Sequence, residues 1–219
     1  MPFPGKHLRQ TVPQPAAAML ATILTICGIG HSAAQEEAVF DGAVDAIWHV
    51  YAIDLHFKSP TAYYYCDTLQ DRVRSILRMV GAADPMKIRA RCSSGALIND
   101  TSVRVVVGAP IEATPENVRV ETTFDAHMAL VARMRNWQLP TPTTIRRFRA
   151  AWTTVSFARM ERLHLTPEDC DLLRDMSEQI FPQLAIQVAK DQFYCTPGSV
   201  PLGRPRLEVK ALIPLSAQL

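Results

Sequence analysis

Glycine is scarce beyond residue 34: six positions, none arranged as a loop that could cradle a phosphate. The G-x-S-x-G turn of a nucleophile elbow is missing, so Ser93-Ser94-Gly95 reads as a turn. No H-E-x-x-H pair occurs. No two of the later cysteines stand two to four residues apart, which excludes the usual four-cysteine zinc site. No apolar run approaches the ~18–20 residues needed to cross a bilayer. Lysine is also rare, at positions 6, 58, 87, 190 and 210 only; with many alanines, the arginine bias suggests a GC-rich bacterial genome. These absences remove the familiar signatures of nucleotide binding, acyl hydrolysis and zinc chemistry. No catalytic residue, cofactor or metal site is assigned.

Acidic residues are missing from the N-terminus as well. Lys6, His7 and Arg9 precede an apolar stretch from Ala16 to Ile29, then His31-Ser32-Ala33-Ala34. A basic start, a short apolar core and small residues before a cut are the layout of a secretory signal peptide. Cleavage is expected after Ala34, giving a signal over 1–34 and a periplasmic or secreted product. No twin-arginine pair is present. Removing Lys6 and Arg9 from 23 basic residues leaves 21, against 21 acidic ones. A neutral chain argues against bulk binding to nucleic acid.

What remains can build a core: 48% of residues are hydrophobic and 20% charged. Four cysteines follow the signal, Cys66, Cys92, Cys170 and Cys195. An even number in an exported chain reads as two disulfides.

The cysteines also mark an internal repeat. Cys66-Asp67-Thr68-Leu69 is matched by Cys170-Asp171-Leu172-Leu173. Ile76-Leu77 is matched by Ile180-Phe181. Lys87 before Cys92 is matched by Lys190 before Cys195. Leu55-His56-Phe57 with Ser59-Pro60 is matched by Leu163-His164-Leu165 with Thr166-Pro167. The expected fold is α+β: an internally duplicated β-α-β-β unit, antiparallel-rich, with one main helix per unit. The units would span 35–125 and 126–219 and share one core, since each alone is small.

Ser59-Pro60 and Thr166-Pro167 read as helix starts, a hydroxyl cap followed by proline. Cys66, Leu69, Val73, Ile76 and Val80 fall on one face, with Gly81 as a C-cap. Alternation and β-branched content suggest strands at 50–57, 87–92, 103–109, 158–165, 187–195 and 206–213, with an extra one at 117–124. Pro140 and Pro142 break the segment 125–157, of which 145–157 could be a strand. A cysteine on a helix stripe faces the sheet its own unit completes. Pairing is therefore expected as Cys66–Cys92 and Cys170–Cys195.

Two groups of residues could carry function. Arg133, Arg135, Arg146, Arg147, Arg149, Arg159 and Arg162 fall within thirty residues, against the single acid Glu161, and Trp137, Phe148, Trp152 and Phe157 are interleaved. Such a set can bind an anionic envelope ligand or a partner protein; Arg146, Arg147, Arg149 and Trp152 are the chosen candidates. Asp54, His56 and His164 could in principle hold a metal, but packing histidines explain them as well. Tyr63-Tyr64-Tyr65, at the start of the first helix, cannot all share a face. The expected function is a non-catalytic exported envelope protein that binds through the arginine-rich segment. The alternatives are a secreted, metal-dependent enzyme and a purely structural subunit.

Overall fold

The computed structural model describes residues 42–60, 62–157, 166, 169–192, 195 and 206–215. The proposed signal peptide, the strand expected at 158–165, His164, Arg159 and Arg162 lie outside them.

In chain order the elements are β1 (Ala43–Lys58), β2 (Tyr64–Tyr65), α1 (Cys66–Met79), β3 (Ala83–Ala90), β4 (Leu97–Ile98), β5 (Asp100–Glu112), α2 (Pro115–Thr122), α3 (Ala126–Met134), β6 (Phe148–Ser156), α4 (Cys170–Gln179), β7 (Gln187–Gln192) and β8 (Arg206–Pro214). The fold is α+β. Six strands form one antiparallel sheet in the order β3-β5-β1-β6-β8-β7. A separate two-stranded ribbon pairs β2 with β4. Outward from the β1–β6 contact, each half of the large sheet follows the same sequence of strands: first, last, middle.

Alternation explains the strands. Ile53, Leu55 and Phe57 of β1 are buried, opposite Val105, Val103 and Thr101 of β5. Asp54, His56 and Lys58 point the other way and are exposed. In β8, Leu207, Val209 and Ala211 repeat the pattern. These residues share one core with Leu69, Val73, Ile76 and Leu77 of α1 and Leu172, Leu173 and Met176 of α4.

The two main helices differ. α1 buries one stripe, Cys66, Leu69, Val73, Ile76 and Leu77. It ends in a Schellman motif: Ala82 N–H donates to the Leu77 carbonyl and Gly81 N–H to that of Arg78. Gly81 has φ +87°, and a Cβ there would meet the Leu212 carbonyl at 2.8 Å. Glycine is thus required twice, by backbone shape and by the approach of β8. α4 is buried on nearly every side, acids included: Asp171 and Asp175 are inside along with Leu172, Leu173 and Met176. Buried charges need partners, and α4 finds them on β1 and the turn after it.

That need arises because β1 is half uncovered. It pairs with β6 over only four residues, Ala43–Ala46 against Phe148–Ala151. Further along, no strand among the described residues meets this edge of β1. Gln179 of α4 supplies a substitute. Its Oε1 accepts from His56 N–H at 2.8 Å and its Nε2 donates to the His56 carbonyl at 2.9 Å. Asp175 Oδ2 accepts from Lys58 N–H at 3.0 Å. One helix face thereby stands in for a strand edge.

The disulfides join Cys66 to Cys92 and Cys170 to Cys195. Each ties the first residue of a main helix to the chain just beyond the next strand of the large sheet. Loops of this length are worth about 3.5 kcal/mol apiece in the chain-entropy account.

Several sequence expectations need correction. Residues 117–124 are not a strand: α2 runs over Pro115–Thr122, and Thr114 Oγ1 accepts from Asn117 N–H at 3.2 Å. Thr114-Pro115-Glu116 is the same cap-and-proline signal read elsewhere, but the alternation of Val118, Val120 and Thr122 obscured it. Ser59-Pro60 does not start α1. Ser59 Oγ accepts from Ala62 N–H at 2.7 Å and donates to Asp171 at 2.6 Å, holding a turn instead. The tyrosines do not open the helix either. Tyr64 and Tyr65 form β2, with Tyr63 just before it, and extended backbone buries Tyr64 while exposing Tyr63 and Tyr65. α4 begins at Cys170, later than Thr166-Pro167 implied, with Asp169 at its N-cap position. The strand that occupies the first position of the second half is β6, within the 145–157 stretch. α3, inside the segment left unread, buries only Ala132. A helix with almost nothing to bury carries almost no periodic signal.

Candidate functional site

The arginine-rich segment leaves the body of the fold at α3 and returns at β6. Asp125 caps α3 by accepting from Met128 N–H at 2.6 Å. The helix closes with its own Schellman motif: Trp137 N–H donates to the Ala132 carbonyl at 2.8 Å and Asn136, at φ +54°, takes the left-handed position. The next loop is held by its threonines. Thr141 N–H donates to Thr144 Oγ1 at 2.8 Å, and Thr144 N–H returns a bond to Thr141 Oγ1 at 3.2 Å. The excursion is therefore ordered by local hydrogen bonds rather than by a core of its own.

Its surface is unusual. Leu130, Met134 and Trp137 follow at steps of four and three, and are 55, 78 and 55% exposed. Arg133, Arg135, Arg146 and Arg147 are exposed alongside them. None of these four has a carboxylate within ion-pair distance among the described residues. The Arg135 guanidinium lies 5.0 Å from the centre of the Trp137 ring.

The four candidates chosen from sequence are separated by the fold. Arg146 and Arg147 belong to this surface, and Arg147 also lines a groove with Pro115, Val118 and Arg119. Arg149 is engaged in the sheet. It sits opposite Asp45 in register, bonds its carboxylate at 3.1 Å and donates to the Ala43 carbonyl at 2.8 Å. Trp152 faces a different cleft. Phe148 stacks on Trp48 at 4.8 Å and Phe157 on Phe181 at 6.2 Å, so both are packing residues. Trp137 is thus the aromatic left among the arginines.

The second cleft was not legible in the sequence. It measures about 470 Å³ and is lined by His49, Tyr51, Glu112, Glu121, Trp152 and Gln187, among others. His49 Nδ1 bonds Glu121 Oε1, joining β1 to α2. Trp152 Nε1 donates to Glu112 Oε1 at 2.7 Å. Tyr51 meets the His49 ring edge-on at 4.2 Å, and its phenol is pushed up by burial and then by the Glu121 charge. The hydrogen-bonded pairs His49–Glu121 and Trp152–Glu112 are 72 and 40 positions apart, and local spacing gives no hint of them. The cleft holds carboxylates, an imidazole, a phenol and aromatic walls, and its lining among the described residues has no serine, threonine, cysteine or lysine.

No family model matches this chain, and neither does any curated protein or solved structure.

The remaining charged groups serve the fold. Asp54 bonds Arg104, and His56 Nε2 lies 3.6 Å from Asp100. Among the described residues, no three histidine, cysteine, aspartate or glutamate side chains cluster as metal ligands. A buried acidic seam links the halves. Asp169 accepts from Tyr64 Oη at 2.8 Å and from Thr166 N–H at 2.7 Å. Asp171 accepts from Ser59 and, at 2.8 Å, from Arg174. Burial and the Asp169 charge push the Tyr64 hydroxyl far above the ordinary phenol range. Burial also raises the Asp175 carboxyl, against the lowering effect of the Lys58 N–H bond. No buried side-chain nitrogen or oxygen among the described residues lacks a partner. The buried polar atoms of the seam are thus all bonded.

Two disulfides are compatible with an extracellular or periplasmic protein. Among the described residues, no helix is long and apolar enough to cross a membrane.

Proposed function

We propose that this chain is an exported, non-catalytic envelope protein that binds an anionic ligand or a partner through α3 and the loop after it. One observation carries the reading: Leu130, Met134 and Trp137 stand exposed in the same segment as four arginines that have no carboxylate partner among the described residues. Apolar side chains and desolvatable arginines together are the composition of a binding surface rather than of a solvated one. A photoreactive residue at position 137, irradiated in the intact envelope, should capture a ligand. No adduct there, with efficient capture from a control position on another face, would defeat the reading.

Export rests on the N-terminal pattern and the disulfides. Sequencing the N-terminus of the protein from its native bacterium should begin at Gln35; a start at Met1 would remove that step. The shared element order and the matching strand order of the two halves support descent from one duplicated unit. Profiles built separately from relatives of residues 43–112 and 148–214 should align with their cysteines in register. Failure to align would count against it.

The cleft at His49 and Glu121 favours a second reading, a small-molecule binder or enzyme. His49→Gln should then abolish binding of any metabolite that stabilises the protein thermally. The geometry of Asp54 and His56 adds no support to the metal-dependent form of that reading.

A further inference from the structure

We infer that the α3 surface docks on the face of an anionic lipid bilayer. This rests on the binding surface proposed above and names its occupant. Three features point to lipid rather than to a folded partner.

The first is charge. From Ala126 to Arg147 the sequence contains no aspartate or glutamate, while Arg133, Arg135, Arg146 and Arg147 fall within it. A protein partner would need basic residues only where its own acids lie. A uniformly anionic plane repels any acid in the footprint, and exclusion over the whole excursion suits it.

The second is shape. Leu130 and Met134 lie on a helix that buries only Ala132, and Trp137 follows just beyond its C-cap. The groove beside Arg147 is lined otherwise by α2 and the loop, and Leu130, Met134 and Trp137 take no part in it. A bilayer requires no groove, because acyl chains and headgroups conform to what enters them.

The third is the choice of side chains. Leu130 and Met134 supply the apolar edge, and Trp137 with Arg135 across its ring supplies the amphipathic pair favoured at the headgroup level. α3 has nine residues, about 14 Å of helix, and cannot span the ~30 Å hydrocarbon layer. It would lie in the interface with its apolar edge roughly 5–10 Å deep. Asp125 at its start is already occupied by the Met128 N–H.

Flotation of the purified, oxidised full chain with vesicles tests the assignment. It should float with vesicles of phosphatidylglycerol in phosphatidylcholine and remain behind with phosphatidylcholine alone. Tryptophan emission should shift to the blue on binding, and Trp137→Phe should remove most of the shift. Arg146→Gln with Arg147→Gln should weaken binding about 25-fold, roughly fivefold for each arginine near an anionic surface. Met134→Ser should weaken it further without altering the melting temperature, since that side chain packs against little.

Equal binding to both vesicle types would overturn the proposal, as would anionic binding indifferent to these substitutions. A photoreactive residue at position 137 separates the two levels. Capture of an envelope protein, with no vesicle binding, overturns the lipid assignment and leaves the binding surface standing. No vesicle binding and no adduct of any kind defeats both.

Discussion

The acids of α4 and the arginines around α3 sit in opposite surroundings. Asp169 and Asp171 are each 1% exposed and accept hydrogen bonds from Tyr64, Thr166, Ser59 and Arg174. Arg133, Arg135, Arg146 and Arg147 are exposed and meet no carboxylate among the described residues. One set of charges is spent inside the molecule, joining Ser59 and Tyr64 to α4. The other is kept out of internal pairing. Buried charges fix an arrangement because leaving one unmet is costly. Exposed charges cost the fold little and remain available to something outside it.

The contrast predicts a graded series of effects on stability. Asp169→Ala should do the most damage, about 3 kcal/mol in urea unfolding, because Tyr64, Thr166 and Arg72 lose a shared acceptor. A loss near zero would show that the seam is not structural. Gln179→Ala should cost about 1 kcal/mol, since water can partly replace it at the edge of β1. Hydrogen exchange at His56 should rise with it; unchanged protection there would mean that the edge is closed by something else.

Asp175→Asn should act in the other direction. A carboxyl whose folded pKa is raised carries a cost that is complete above that pKa. The cost fades as pH falls toward the unfolded value near ~3.9. The amide variant should thus be the more stable protein at neutral pH, with its advantage disappearing in acid. Denaturation profiles that stay parallel across that window would contradict the assignment. Smallest of all, Arg146→Gln with Arg147→Gln should change stability by less than about 0.5 kcal/mol. A larger loss would mean that these arginines serve the fold after all, and the contrast would collapse.

What could be read from the sequence follows the same division between local and distant causes. β5 and β8 were legible because burial on one face writes alternation into adjacent positions. The disulfide pairing was legible because each bond closes within its own strand-helix-strand segment. Ser59 was misread because its hydroxyl serves Asp171, 112 residues away, whereas the cap signal considers only the next few residues. α2 was misread because two valines and a threonine at alternate positions outweighed a threonine cap and a proline. α3 went unread because its larger apolar residues, Met128, Leu130 and Met134, face outward and leave no buried stripe to give a period. The His49–Glu121 pair depends on α2 being a helix laid beside β1, and no spacing rule reaches across that.

The amide of Gln179 has a consequence in time as well as in space. β1 leaves the ribosome, and crosses any export channel, well ahead of α4. Until the last third of the chain arrives, the stretch of β1 around His56 presents bare peptide groups beside a complete β5 partner. Another copy in the same state could pair with that edge. The nascent protein therefore passes through an adhesive interval that closes only when one glutamine from a late helix docks. Slowing delivery of the C-terminal segment should increase aggregation even though the finished fold is unchanged, and a holding chaperone would be most useful during that interval.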